Sequence, residues 1–455
     1  MQDRQSVHGS WASRWTFILA ATGSSVGLGN IWKFPYITGE NGGGAFVLVY
    51  LLCIALVGIP IMMTEVLLGR RGRQSPTNTF REMAVEIGSS PRWAWLGLCG
   101  VFAGMMIFGF YSVVSGWVLA YVFYAADGSF VGAGVDQVGA IFDGLLADPQ
   151  TLVVWHTVFV VLVAGIVARG VNKGLEVAIR ILMPLLFILL LLLLVYSMTS
   201  GAFAQGVNFL FDVDFSALSW NAVLVALGHA FFTLSLGMGS MMVYGSYMPK
   251  NASIGSTVLT VAALDTLVAL AAGLAIFPLV FANQLDPGAG PGLMFVTLPV
   301  AFGHMDGGQI FGFLFFAMVA IAAWSSAISL LEPVVAYVVE RFKISRGEAC
   351  VILGGIVWVL GIGALTSFNI GSQWSLFGMN FFDLLDFLTA NLLLPLGGLL
   401  VCVFAGWWVG KRITREELSM RSELVFNSWF FVVRYIAPVA VAIVFVANLW
   451  QKVVG

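Results

Sequence analysis

Long apolar runs separated by short polar ones dominate the chain. Crossing a hydrocarbon core about 30 Å thick takes about 20 consecutive apolar residues. Eleven stretches meet that requirement, roughly 14–37, 44–69, 93–125, 151–168, 177–198, 218–247, 255–282, 307–340, 348–366, 380–409 and 428–450. Each predicts a spanning helix, because a helix satisfies its own backbone polar groups in lipid. The expected fold is therefore an all-α polytopic membrane protein of eleven transmembrane helices, with its two termini on opposite sides. No hydrophilic linker divides the chain, so residues 1–455 form one integral domain, with helices 1–5 at about 11–200, helices 6–10 at about 215–410 and helix 11 at about 427–451. One outer segment differs from the rest: turn residues from Asn283 to Gly292 lead into an apolar piece, Leu293 to Phe302, too short to span. It is predicted to dip into an outer vestibule.

Two of the apolar runs are interrupted by glycine. The first contains Gly23-Ser24-Ser25-Val26-Gly27-Leu28-Gly29-Asn30, and the sixth contains Ser235-Leu236-Gly237-Met238-Gly239. If helices 1–5 and 6–10 are two halves, these interruptions fall at corresponding places. Matched interruptions predict an inverted 5+5 repeat with helices 1 and 6 broken at mid-membrane, plus one extra helix, and a binding site at the break. The alternative reading of the same glycines is a small-residue packing seam between intact helices. A phosphate loop fits poorly, since no strand precedes the glycines and no Lys-Ser/Thr pair follows.

Charge then orients the chain. With 60% hydrophobic and 10% charged residues, the chain is too apolar for a water-soluble fold. Basic residues are retained in short cytoplasmic loops. An N-terminus inside and a C-terminus outside puts all the Lys and Arg residues except Lys33, Arg434 and Lys452 on the cytoplasmic side. The first run follows Arg4, His8 and Arg14 without a small-residue cleavage site, and is expected to be a retained helix in the inner (plasma) membrane. Cys53, Cys99, Cys350 and Cys402 show no metal-ligand spacing, so a disulfide framework or zinc site is not expected.

Ionisable residues inside spans are costly and mark candidate function; here they are Lys33, Glu65, His156, His229, Asp265, Glu332, Asp386 and Arg434. Asp265, in the middle of helix 7, has no Lys or Arg nearby in sequence, and a bound cation is its natural partner. Lys33 and Asp386 lie toward the outer ends of helices 1 and 10 and can pair across a vestibule; a snorkelling Lys33 is the competing reading. Free carbonyls at the interruptions, beside Asn30, Thr233, Ser235, Ser325 and Ser326, supply the oxygen ligands that Na⁺ requires. The amides at Leu28-Gly29-Asn30 open a half-helix and would attract a carboxylate, which suits an amino acid.

These residues resemble the neurotransmitter:sodium symporters, and among them the bacterial amino-acid transporters of the leucine-transporter fold with eleven helices. The similarity rests on Trp11-Ala12-Ser13-Arg14, Gly27 to Tyr36, Glu40 to Phe46, Gly58-Ile59-Pro60, Glu65 with Gly69-Arg70, and Phe231 to Gly237. It implies two Na⁺ sites. The first would use the Ser25 carbonyl, Asn30, Thr233, Asp265 and the substrate carboxylate; the second would use carbonyls of Gly23, Val26 and Ala322 with the hydroxyls of Ser325 and Ser326. The resemblance places the substrate carboxylate on the Leu28 and Gly29 amides and the Tyr111 hydroxyl, and its amino group on carbonyls near Ser25, Phe232 and Thr233. The implied side-chain pocket is Ile107, Tyr111, Phe232, Ser235, Met238, Ser326, Ser329 and Leu330. An outer gate of Lys33 and Asp386 would lie above a lid of Tyr111, Phe232 and Phe295. Trp11, Tyr247, Glu332 and Glu340 would close the inside, with a basic partner among His8, Arg4 and Arg14. Gly174 and Pro184 would let helix 5 unwind. Asp265 and Ala269 stand where chloride-dependent relatives carry Asn and Ser, which implies chloride-independent transport.

The expected function is Na⁺-coupled import of neutral, hydrophobic L-amino acids by alternating access, with the substrate and the lipid bilayer as partners and no nucleic acid. A channel or sensor that keeps the site without coupling is the alternative. An enzyme is not expected, because His8, His156, His229 and His304 are scattered with no HExxH or Ser/His/Asp grouping. Nothing in the sequence fixes an oligomeric state.

Overall fold

The computed structural model describes residues 6–454, with residues 448 and 451–454 described by backbone alone. Among the described residues, nine helices are long and apolar enough to cross a membrane. They coincide with nine of the eleven predicted runs: α2 (Gly44–Gly72), α3 (Pro91–Ala126), α4 (Pro149–Ala168), α5 (Val171–Met198), α7 (Ile254–Ala282), α8 (Gly308–Phe342), α9 (Arg346–Thr366), α10 (Phe381–Leu418) and α11 (423–454). The other two runs are the interrupted ones. Helix α1 (14–40) is made of Arg14–Ser25 and a second piece from Gly29 to Glu40, and α6 (220–246) is made of Trp220–Thr233 and Ser240–Ser246.

Local chemistry accounts for where the helices begin. The Ser13 hydroxyl accepts from the Thr16 amide at 3.1 Å and caps α1. Asp148 accepts from the Gln150 and Thr151 amides ahead of α4, whose first residue is Pro149. Ser345 and Glu348 form a reciprocal capping box at the start of α9. Helix α5 starts at Val171 instead of 177, because a wide turn over Val171–Leu175 extends it. Beyond that turn, Glu176–Met198 is continuous through Pro184. Helix α10 outruns its apolar stretch and ends in the charged segment Lys411 to Glu417. The predicted re-entrant piece forms a short helix over Leu293–Gly303.

The interrupted helices lie at the centre, against α2, α5, α7 and α8. The packing is close enough that backbone touches backbone. At Gly69 of α2, an added Cβ would stand 1.9 Å from the Met242 carbonyl oxygen of α6, and at Gly245 of α6 it would stand 2.7 Å from the Val66 oxygen of α2. The inner half of α6 is thereby held rigidly on α2.

This contact predicts that Gly69→Ala lowers the melting temperature of the detergent-purified protein, with an overpacking cost of about 1–3 kcal/mol. Gly355→Ala on α9, where a Cβ meets nothing within 4 Å, leaves the melting temperature unchanged or higher. Fluorescence-detected size-exclusion melts read both, and equal melting of the two variants contradicts the packing argument.

Candidate substrate and ion site

The two interruptions are built differently. In α1 the chain leaves the helix at Val26, which is extended (φ −73°, ψ 109°), and resumes at Leu28. In α6, Ser235, Gly237 and Gly239 all take positive φ, at 54°, 80° and 81°. Glycine adopts that conformation without penalty, whereas a non-glycine residue there costs about 1–3 kcal/mol. Ser235 is held in place by its hydroxyl, which donates to the Ser24 carbonyl at 2.9 Å. Glu65 of α2 accepts from the Gly237 amide at 2.7 Å, replacing a helical partner that this amide has lost.

Between the interruptions the walls close on a cavity of about 30 Å³. Of the expected substrate residues, Ser25, Leu28, Gly29, Ile107, Tyr111 and Phe232 line it, as do Ser235, Met238, Ser326, Ser329 and Leu330. Thr233 does not: its hydroxyl turns to the Asp265 carboxylate, at 3.1 and 3.2 Å. Ser24 and Gly27 line the cavity as well, although sequence reasoning does not place them there. The Ser24 carbonyl accepts from both Ser235 and Ser326, and its hydroxyl donates to Ser329 at 2.7 Å. Its position inside the Gly23–Asn30 interruption is the available signal. Gly27 admits no side chain, since a Cβ would lie 2.5 Å from the Ser326 Oγ and 3.0 Å from the Tyr111 hydroxyl. The Leu28 amide donates to that same hydroxyl at 3.3 Å.

Beside the cavity lies a buried polar cluster. Asp265 is completely enclosed, and Asn30 Nδ2 donates to its Oδ1 at 2.8 Å and to its backbone carbonyl at 3.1 Å. Asn30 Oδ1 accepts from the Gly27 amide, which ties the carboxylate to the α1 interruption. Among the described residues no Lys or Arg pairs with Asp265; only neutral donors reach it. An isolated carboxylate in such surroundings is expensive. The Ser25 hydroxyl, which also lines the cavity, is buried without a hydrogen-bond partner.

The residues of the second expected ion site also converge. The Ser326 hydroxyl donates to the Ser24 carbonyl at 2.8 Å and approaches that of Val26 at 3.4 Å, and the Ser325 hydroxyl donates to the Ala322 carbonyl at 3.0 Å. A Cβ on Gly23 would meet Met183 of α5 at 2.9 Å and Ser325 of α8 at 3.5 Å, so α1, α5 and α8 touch there.

The outer side departs from expectation. Lys33 makes no ion pair with Asp386 within 4.0 Å; its ammonium lies 4.9 Å from the centroid of the Phe232 ring, where the ring face attracts a cation. Phe295 does not lie on the cavity either. Its ring stacks on Phe142 at 5.0 Å and packs edge-on to Trp117 and Tyr121, and its carbonyl accepts from the Tyr121 hydroxyl at 2.9 Å.

On the inner side the expected residues meet, with His8 as one basic partner, on Glu340, and Arg346 as a second that the sequence does not mark. The Trp11 amide donates to the Tyr247 carbonyl at 2.9 Å and its indole donates to the Tyr244 carbonyl at 3.2 Å. The Tyr247 hydroxyl donates to Glu332 at 2.6 Å. Glu332, fully buried, is paired with Arg346 from the start of α9. His8 approaches Glu340 at 3.0 Å and Arg346 at 3.4 Å. Arg14 instead donates to Thr257 and Ser256 of α7, and Arg4 lies outside the described residues. Arg346 escapes sequence reasoning because it lies beyond the α8–α9 turn, where helical spacing from Glu332 carries no information.

Two broken helices at matched positions, a cavity between the breaks and a buried carboxylate without a cationic side chain define a secondary membrane transporter. A family model described as the sodium:neurotransmitter symporter family matches residues 8–132 and 131–454. The uncharacterized sodium-dependent transporter YhdH of Bacillus subtilis is 38% identical over 440 residues, 96% of each chain. An uncharacterized sodium-dependent transporter of Haemophilus influenzae is 31% identical over 448 residues, 97% of this chain and 98% of that one. The crystal structure of MhsT in complex with L-phenylalanine superposes with a TM-score of 0.89 at 44% identity, covering 97% of this chain and 99% of that one. The chain belongs to the sodium:neurotransmitter symporter family, and it is a sodium-dependent symporter.

Replacing Arg346 by Met is expected to loosen the inner side. Removing one partner of a buried ion pair costs about 3–5 kcal/mol, and opening toward water relieves the stranded Glu332. Hydrogen exchange at residues 11–17 and 244–248 should rise; unchanged protection there would rule out the pair as a closing contact.

Proposed function

We propose that this symporter imports neutral, hydrophobic L-amino acids, driven by Na⁺ and independent of chloride. The observation that carries the reading is Asp265, a buried carboxylate beside both helix interruptions that is met only by neutral donors. A cation supplied from outside balances it. The first Na⁺ would take the Ser25 carbonyl, Asn30, Thr233 and Asp265, with the substrate carboxylate as a further ligand; this requires the Asn30 amide to turn from its bond with Asp265. The second would take carbonyls of Gly23, Val26 and Ala322 with Ser325 and Ser326. Sharing the substrate carboxylate with the first ion is the coupling, since neither binds fully without the other.

The substrate carboxylate sits on the amides of Leu28 and Gly29 and on the Tyr111 hydroxyl. Its side chain enters between Ile107, Phe232, Met238 and Leu330. In this closed form the walls leave about 30 Å³, so a side chain as large as phenylalanine enters only as these walls part. Met238, unbranched and between two glycines in the α6 interruption, is suited to yield. The L-phenylalanine bound by MhsT supports an apolar substrate. Transport proceeds by alternating access: the inner contacts of Trp11, Tyr247, Glu332, Arg346 and Glu340 hold while substrate loads from outside, and Lys33 and Asp386 pair over the loaded site. Each Na⁺ moving down a 100 mV potential supplies about 2.3 kcal/mol. The N-terminus is cytoplasmic and the C-terminus outside, as the basic loops require.

Uptake of labelled amino acids into proteoliposomes tests this reading. Phenylalanine, leucine and tryptophan should accumulate only under an inward Na⁺ gradient, and accumulation should persist when gluconate replaces chloride. Accumulation without Na⁺, or equilibration without accumulation, favours the channel or sensor reading instead. Asp265→Asn is expected to raise the Na⁺ concentration for half-maximal substrate binding at least tenfold; an unchanged value removes Asp265 from the ion site.

A further inference from the structure

On the flank of the bundle, away from the central cavity, α4, α5 and α8 enclose a groove of about 450 Å³. Its walls are apolar and turned outward: Val161 and Ile181 are 62% and 61% exposed, on the surface that faces acyl chains in a bilayer. The recess exists because Gly165 on α4 stands where a larger residue would fill it, and the Trp324 ring of α8 closes its inner side. At one end, on the turn joining α4 to α5, Arg169 and Lys173 line the same groove and are exposed. Among the described residues neither is paired with a carboxylate.

We propose that this groove binds an anionic phospholipid, with the headgroup phosphate between Arg169 and Lys173 and one acyl chain lying along the recess toward Trp324. Charge complementarity selects this occupant. Two cations at the membrane edge, above an apolar slot open to the bilayer, match a negative headgroup joined to a hydrocarbon chain, and basic pockets between spanning helices bind such headgroups. A zwitterionic lipid fills the slot and leaves the cations without net compensation. A soluble anion meets the cations and leaves the slot unused. The groove runs over Gly174, at the wide turn that begins α5, so its occupant rests against the one part of α5 whose helical bonding is already irregular. This inference stands on the flank alone and is independent of what the central cavity carries.

The test uses the full-length protein, delipidated in detergent, exposed to equal phosphatidylglycerol and phosphatidylcholine, and read by native mass spectrometry. The wild type should retain phosphatidylglycerol in preference. Each basic residue near an anionic headgroup is worth about a five-fold factor, so Arg169→Gln with Lys173→Gln should weaken retention about 25-fold. Gly165→Leu, where a Cβ meets nothing within 4 Å, fills the slot, leaves both charges in place and should also release the lipid. Lys411→Gln with Arg412→Gln, an exposed basic pair at the end of α10, should not. Absence of a phosphatidylglycerol preference overturns the proposal, as does an equal loss in the Lys411/Arg412 variant. Full retention by Gly165→Leu, or displacement by glycerol phosphate as effective as by the lipid, shows attraction to a charged surface and overturns the groove.

Discussion

A peptide group that leaves a helix inside a bilayer has lost its partner and has no water to replace it. The centre of this protein meets that constraint twice, in adjacent segments, and much of the surrounding chemistry follows. The Gly237 amide is taken up by Glu65, the Ser24 carbonyl by Ser235 and Ser326, and the Gly27 amide by Asn30. Each of these bonds links a broken helix to another element, or one side of a break to the other. The breaks are therefore joints in a connected polar network, and displacing one half-helix disturbs bonds to the others.

That network explains why a carboxylate tolerates complete burial. Asp265 is held by Asn30 at one break and by Thr233, the last helical residue before the other. Asp265 thus ties α1, α6 and α7 to one another. On the proposed function, a cation at Asp265 would draw the three together, and a substrate carboxylate at the Leu28 amide would add to the same pull. The inner side uses stronger chemistry for a simpler role, since Glu332 and Arg346, backed by Tyr247, form a charged clasp between α8 and α9. Lys33 rests on Phe232, with no carboxylate within ion-pair distance.

Much of this is legible in the sequence for identifiable reasons. Hydrophobic length locates nine continuous spans, and clustered glycines mark the two that break. Asp265 stands out because a lone acid in an apolar run has no cheap explanation. What cannot be read are contacts set by tertiary geometry. Arg346 meets Glu332 across a turn, so no helical period links them. Phe295 carries the right ring for a lid, yet a stacking partner on another element, Phe142, takes it elsewhere. The start of α5 is hidden because a wide turn extends the helix through residues whose polarity suggests a loop.

Gly27 has a consequence for anyone who would redesign this carrier. With Ser326 and Tyr111 already within a Cβ's reach of it, the end of the chamber beside the half-helix amides is written in main chain, and main chain cannot be re-typed by mutation. On the proposed function, recognition of the backbone-like part of an amino-acid cargo would thereby be common to variants that fold. On that reading, selectivity is left to the opposite walls on α3 and α6, where Ile107 and Met238 line the cavity with apolar side chains, whereas Ser329 is tied to Ser24 of the break.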